Sequence, residues 1–203
     1  MKKVVFMRHG SVLRHPGIYM NERDVTLTLK GKLQIIKLIP LLRRFAPNNI
    51  IVSPVRRCIE TAKILSPFMT RPYVQDARLR ERVFPSLFGK TIYEIAEIYG
   101  KETLSRISNE SENLELPEEE TFDQARTRVI QAVTEHVQMS KDRIVFISHG
   151  GPHSWLLCEM LGLDISSVRK FSLGEGRVSL FEFHNDGTFA RIIQLNGIWG
   201  VLP

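Results

Sequence analysis

The chain has 203 residues, 43% of them hydrophobic and 25% charged, a composition that excludes a disordered or fibrous protein and suits one α/β domain over 1–203. Met1-Lys2-Lys3 and the four apolar residues before Arg8 are too short for a signal peptide or membrane span, so a cytoplasmic protein with no membrane partner is expected. The net charge of +6 is uneven: residues 101–120 hold seven Glu against Lys101 and Arg106, a local −5 that leaves +11 elsewhere. Such a surplus attracts anions of many kinds and selects no specific nucleic acid.

Lys2 to Met7 reads as a buried strand and Ser11 to Thr26, with Pro16 and Gly17, as a long surface loop. A helix from Thr28 should kink or stop at Pro40, whose ring clashes with the carbonyl of Ile36. Asn49 to Ser53 is a short strand, and Ser53-Pro54 supplies an N-cap and first-turn proline for a helix through Leu65. Tyr73 to Gln75 is a brief strand, Thr91 to Tyr99 a helix ended by Gly100, and Ser105 to Glu120 a mobile acidic loop.

Phe122, Ala125, Val129, Ala132, Val133 and Val137 recur at helical spacing, which predicts an amphipathic helix over Thr121 to Ser140. A strand Arg143 to Ser148 and a helix Pro152 to Leu161 follow. Val178 to Phe183 and Phe189 to Leu195, joined across Asn185-Asp186-Gly187, form a hairpin. This alternation predicts a three-layer α/β/α fold with a mostly parallel central sheet and a C-terminal antiparallel hairpin. Cys58 and Cys158 are expected to be buried free thiols, and the apolar end Ile198-Trp199-Gly200-Val201-Leu202-Pro203 to pack on its own domain.

Two segments carry the chemistry. Arg8-His9-Gly10 and Ser148-His149-Gly150-Gly151 each end an apolar strand, and residues just beyond parallel strand ends face a common crevice. A neutral imidazole is a nucleophile, and a neighbouring guanidinium grips a phosphoryl group through paired charged hydrogen bonds. Taken alone, Arg8 and His9 fit a polar turn equally well. Arg57, in the first turn after the second strand, adds a cation at the positive end of a helix, with Arg56 turned to solvent. His149 repeats the geometry at the fourth strand.

Together these segments resemble the histidine phosphatase superfamily, the phosphoglycerate-mutase-like enzymes. The likeness runs through Arg8-His9-Gly10, Leu27-Thr28-Leu29-Lys30-Gly31, Ser53-Pro54 with Arg57, Thr61 and Ala62, Leu79-Arg80-Glu81, Glu120-Thr121-Phe122 and Ser148-His149-Gly150-Gly151. It implies a metal-independent, cofactor-free phosphomonoesterase in which His9 is phosphorylated and Arg8, Arg57 and His149 hold the phosphoryl oxygens. Glu81 would protonate the leaving group, and the substrate would be a small phosphorylated metabolite. Ser11, Arg14, His15 and His153 are candidate substrate contacts.

Three departures stand out: Pro85 where the family usually has glycine, Leu87-Phe88 where it has an aromatic-acid pair, and Val12 where relatives place a hydroxyl. The Trp-Asn pair of the mutases is missing, which favours hydrolysis over a phosphoglycerate mutase. A protein phosphohistidine phosphatase and a catalytically weakened phospho-ligand-binding regulator are the alternatives, and a monomer or homodimer fits equally.

Overall fold

The computed structural model of the chain describes residues 1–14, 17–19, 25–69, 72–108, 116–171 and 173–197. Six strands, β1 (Lys2–Arg8), β2 (Asn49–Val52), β3 (Tyr73–Gln75), β4 (Arg143–Ser148), β5 (Val178–Phe183) and β6 (Phe189–Gly197), form one sheet in the order β3-β2-β4-β1-β5-β6. The first four run parallel, while β5 is antiparallel to β1 and to β6. This is the expected mostly parallel sheet ending in a hairpin.

Side chains alternate across the sheet because a strand has a period of two. Val5, Met7, Ile50, Val52, Val145 and Ile147 face one way, packing on α1 (Leu29–Ile36), α2 (Ile39–Phe45) and α3 (Arg56–Leu65) through Ile35, Leu42, Cys58 and Ala62. Val4, Phe6, Ile51, Ile144 and Phe146 face the other way, onto α6 (Phe122–Met139) and α7 (Gly150–Met160) through Ala132, Val133, Leu156 and Leu157. Burying both faces explains why the central strands are almost unbroken apolar runs.

Local chemistry sets several boundaries. Thr28 caps α1, its hydroxyl accepting from the Gly31 N–H, and α1 stops before Pro40, which sits instead in the first turn of α2. Thr121 opens α6 with a capping box closed by Gln124, and all six apolar positions predicted for its inner face are buried. Both cysteines are buried, and neither is in a disulfide among the described residues.

Three expectations need correction. Ser53 does not cap α3: the cap position is Val55, with no side-chain cap, and the Ser53 hydroxyl is used elsewhere. Part of the supposed acidic loop is helical, since α4 (Ile92–Tyr99) is followed directly by α5 (Lys101–Ser108). The fourth-strand helix starts at Gly150 rather than Pro152, with His149 as its N-cap. Residues 109–115, His15 and the apolar end 198–203 lie outside the described residues.

Beyond the sheet's carboxyl edge, Phe84, Leu87, Ile95 and Leu116 form a small separate core with Tyr19, Tyr99 and Leu104. Pro85 opens a 3-10 turn, Pro85–Leu87, that sinks Leu87 into this core.

Candidate active site

Register brings the two histidines together. In the β1–β4 pair Arg8 lies opposite Ser148, and the ladder continues with the His9 N–H donating to the Ser148 carbonyl at 3.1 Å. His9 and His149 therefore leave adjacent strands side by side, their ring centroids 5.4 Å apart. In the β2–β4 pair Val52 lies opposite Ile147, which puts Ser53 one step on, where its hydroxyl is 2.9 Å from His149 Nε2.

Arg57 bridges the two rings. Its Nε donates to His9 Nε2 at 3.1 Å and its Nη2 meets His149 Nδ1 at 3.0 Å. Guanidinium only donates, so both imidazole atoms must be unprotonated acceptors. The His9 proton then sits on Nδ1, which donates to the Gly10 carbonyl at 2.8 Å, and the His149 proton sits on Nε2, facing Ser53. Burial and then Arg57 hold the His9 pKa well below the usual 6.5, against a smaller raising effect of the Gly10 carbonyl, with Arg8 adding a lesser lowering still. Burial, Arg57 and His9 do the same to His149.

Arg57 is only 8% exposed and makes no ion pair among the described residues. Thr61 steadies its helix and the first loop together, donating to the Arg57 carbonyl at 2.8 Å and accepting from the Gly10 N–H at 3.3 Å. Arg56 points out and pairs with Glu60, as its position on the helix requires.

The guanidinium of Arg8 lies against Gly150: a Cβ there would sit 3.0 Å from Nη1. Nη1 donates to the Leu173 carbonyl at 2.5 Å, Nη2 lies 3.9 Å from Glu175, and Nε is buried with no partner among the described residues. Gly151, the next residue, abuts the Glu81 carboxyl so closely that any Cβ would collide with Oε1, and its N–H donates to Glu81 Oε2 at 3.3 Å. Glycine at both places lets the first turn of α7 touch two candidate site side chains through backbone alone. The site thus gathers His9, His149, Arg8, Arg57 and Glu81 around the positive end of a helix, a natural anion pocket.

The remaining candidates are placed differently. Arg14 is largely exposed, 3.5 Å from Glu175, and close enough to His9 to lower its pKa slightly. Ser11 braces the loop through its backbone, its N–H donating to Gln34 and its carbonyl accepting from Thr28. His153 does not join the cluster: it is 2% exposed, its ring is 4.7 Å from that of Phe6 and 5.9 Å from that of Phe181, and both ring nitrogens lack partners among the described residues. Burial, with a smaller contribution from Arg8, lowers its pKa to about 3.

Three residues with a part in this geometry escape a sequence reading: Ser53, Glu175 and Arg128. Ser53 looked like a helix cap, and Glu175 carries no local signal. Arg128, which donates to the Arg78 and Arg80 carbonyls at 2.7 Å, makes its contacts across roughly fifty residues of chain.

Comparison with known proteins follows the same lines. The sequence profile of the histidine phosphatase superfamily (branch 1) matches residues 4–196. Phosphoserine phosphatase 1 of Hydrogenobacter thermophilus is 26% identical over 97% of this chain and 92% of its own. A 2,3-bisphosphoglycerate-dependent phosphoglycerate mutase of Wigglesworthia glossinidia brevipalpis is 22% identical over 93% and 95%. The crystal structure of the alpha-ribazole phosphatase from Shigella flexneri shares the fold, with a TM-score of 0.82, 22% identity and coverage of 99% and 100%.

Proposed function

Because the chain belongs to the histidine phosphatase superfamily, we propose that it hydrolyses a small phosphorylated metabolite through a phosphohistidine on His9. The observation that carries this reading is the Arg57 fork, a buried cation with no counter-ion among the described residues, held between two neutral imidazoles. A dianionic phosphoryl group supplies the missing charge. The partnerless Nε of Arg8 offers it a further donor.

The sequence of events follows from the tautomers. Arg57 Nε–H donates to the lone pair of His9 Nε2; an arriving phosphoryl oxygen draws that donor to itself and exposes the nucleophile. The P–N bond forms at Nε2 as the P–O bond to the leaving group breaks, while Nδ1–H keeps donating to the Gly10 carbonyl. Arg8 and Arg57 carry the charge on the equatorial oxygens, and the bound dianion favours protonation of His149, which then donates to it. Glu81, likewise favoured in its protonated form beside the dianion, gives its proton to the departing oxygen. As carboxylate it then takes a proton from water, whose oxygen cleaves the P–N bond and releases phosphate.

The profile match from 4 to 196 supports reading the chain as one domain. Among the described residues no helix is long and apolar enough to cross a membrane. A panel of phosphorylated metabolites, with phosphoserine and 3-phosphoglycerate first, tests the reading. Release of inorganic phosphate, lost in His9→Ala and unchanged by a chelator, is the expected result. Movement of phosphate to another carbon of 3-phosphoglycerate without its release would make the protein a mutase instead.

A further inference from the structure

The stretch that carries Glu81 has little regular structure of its own: a 3-10 turn over Ala77–Leu79, an extended Arg80, then coil. Its carbonyls are nevertheless accounted for one by one. The Leu79 carbonyl accepts from the Ser148 hydroxyl at 2.7 Å. Those of Arg78 and Arg80 accept from Arg128 Nη1, both at 2.7 Å, and that of Glu81 from Arg128 Nη2 at 3.3 Å. Arg128 also grips the Glu120 carboxylate through Nε at 2.5 Å and Nη2 at 2.7 Å.

A guanidinium has five N–H donors in a fixed plane, and here every one is used. Glu120 cancels the charge, so the guanidinium can sit mostly enclosed, its side chain 18% exposed. The Glu120 carbonyl accepts from Arg82 Nε at 2.9 Å, which closes the ring of contacts around the segment. Lysine has three donors and no plane, and cannot hold two Nη1 carbonyls, a third carbonyl and a carboxylate together.

We propose that Arg128, charged and oriented by Glu120, is a positioning residue that fixes the backbone beneath Glu81 and so keeps its carboxyl against the Gly151 N–H, in line with the leaving group. The inference rests on the acid role given to Glu81 above. Arg128 sits on α6 and Ser148 ends β4 directly before His149, so the acid is anchored both to a helix of the fold and to the strand that delivers His149. A displacement of about 1 Å at a catalytic group costs on the order of 100-fold in rate.

The test compares an alkyl phosphate, whose leaving oxygen needs a proton, with p-nitrophenyl phosphate, whose leaving oxygen does not. In Arg128→Ala, kcat/KM for the alkyl ester should fall about 10- to 100-fold while the aryl ester changes less than about threefold. If Arg128→Ala does not fold, Arg128→Lys and Glu120→Gln are read by the same ratio and should show the same selective loss in smaller degree. In a Glu81→Gln background the Arg128 substitution should add no further selectivity, because it acts through Glu81.

Equal losses on both esters, no loss on either, or full additivity with Glu81→Gln would each overturn the proposal. Failure of the underlying reading looks different. In that case Glu81→Gln alone shows no preference between the esters, or the wild-type enzyme forms no phosphohistidine.

Discussion

Replacing Arg57 by methionine should destroy activity and, without an anion, stabilise the fold. The side chain is 8% exposed, its Nε and Nη2 end on neutral imidazoles, and no carboxylate neutralises it among the described residues. Keeping an unpaired cation there costs several kcal/mol of desolvation, against which it recovers two hydrogen bonds from a charged donor of about 1.5–3 kcal/mol each. Methionine fills similar volume with no charge, and the two imidazoles lose the cation that disfavours their protonation. A net gain of about 1–3 kcal/mol follows, and at about 2–4 °C per kcal/mol for a chain of this size the melting temperature rises by about 2–12 °C.

Catalysis moves the other way. Two charge-assisted contacts to the transferring phosphoryl group are lost, about 3–6 kcal/mol of transition-state stabilisation, so kcat/KM on any phosphomonoester falls about 10²- to 10⁴-fold. Calorimetry with and without vanadate checks both halves. The wild type should gain about 4.1 kcal/mol at a thousand times the anion's Kd and overtake the variant, which should not respond. A variant that melts several degrees below the wild type without anion, or retains more than a tenth of wild-type kcat/KM, would refute the account of a pocket held in readiness for a dianion.

His153→Leu removes a buried ring with two unpartnered nitrogens and should stabilise the protein at neutral pH by about 1–2 kcal/mol, lost ring packing offsetting part of the gain. The pH dependence carries a second signature. His153 titrates at about 3 when folded but near 6.5 when unfolded, so the unfolded chain takes up the proton first and stability falls as pH drops through that window, by about 1.4 kcal/mol per pH unit. His9 and His149, also shifted down, act in the same direction. Denaturant titrations from neutral to mildly acid pH should show a shallower decline in the variant, and an unchanged slope would mean that His153 is not neutral and buried. Glu81→Gln should slow alkyl phosphates about 10²- to 10⁴-fold and p-nitrophenyl phosphate less than about tenfold, and equal loss on both would remove Glu81 from the acid role.

What the sequence disclosed was whatever depends on period and on strand ends. The apolar runs before Arg8 and His149 are buried on both faces, which is the condition for two central parallel strands, and their adjacency follows once those strands pair in register. Arg57 against Arg56 was legible from helical geometry alone. Ser53 was misread because Ser-Pro before a helix is a local cap signal, whereas its hydroxyl is captured by His149 across the β2–β4 pair. His153 lies four residues past His149 and looks like its companion. But His149 is an extended N-cap facing the crevice, while His153 sits inside α7 against the sheet. The α5 helix was hidden by a polar stretch in which Thr103 is the one residue with a buried side chain described. Arg128 was invisible for a plainer reason: three of its partners, the Arg78, Arg80 and Glu81 carbonyls, are backbone groups that any residue type carries.

The most direct test is rapid acid-free quenching of the enzyme during turnover, followed by phosphopeptide mapping and 31P NMR of the trapped protein. A phosphoryl group on Nε2 of His9 is the predicted result, because Nδ1 is committed to the Gly10 carbonyl. A phosphoryl group on Nδ1 or on another residue, or steady turnover with no covalent phosphate at any time point, would contradict it.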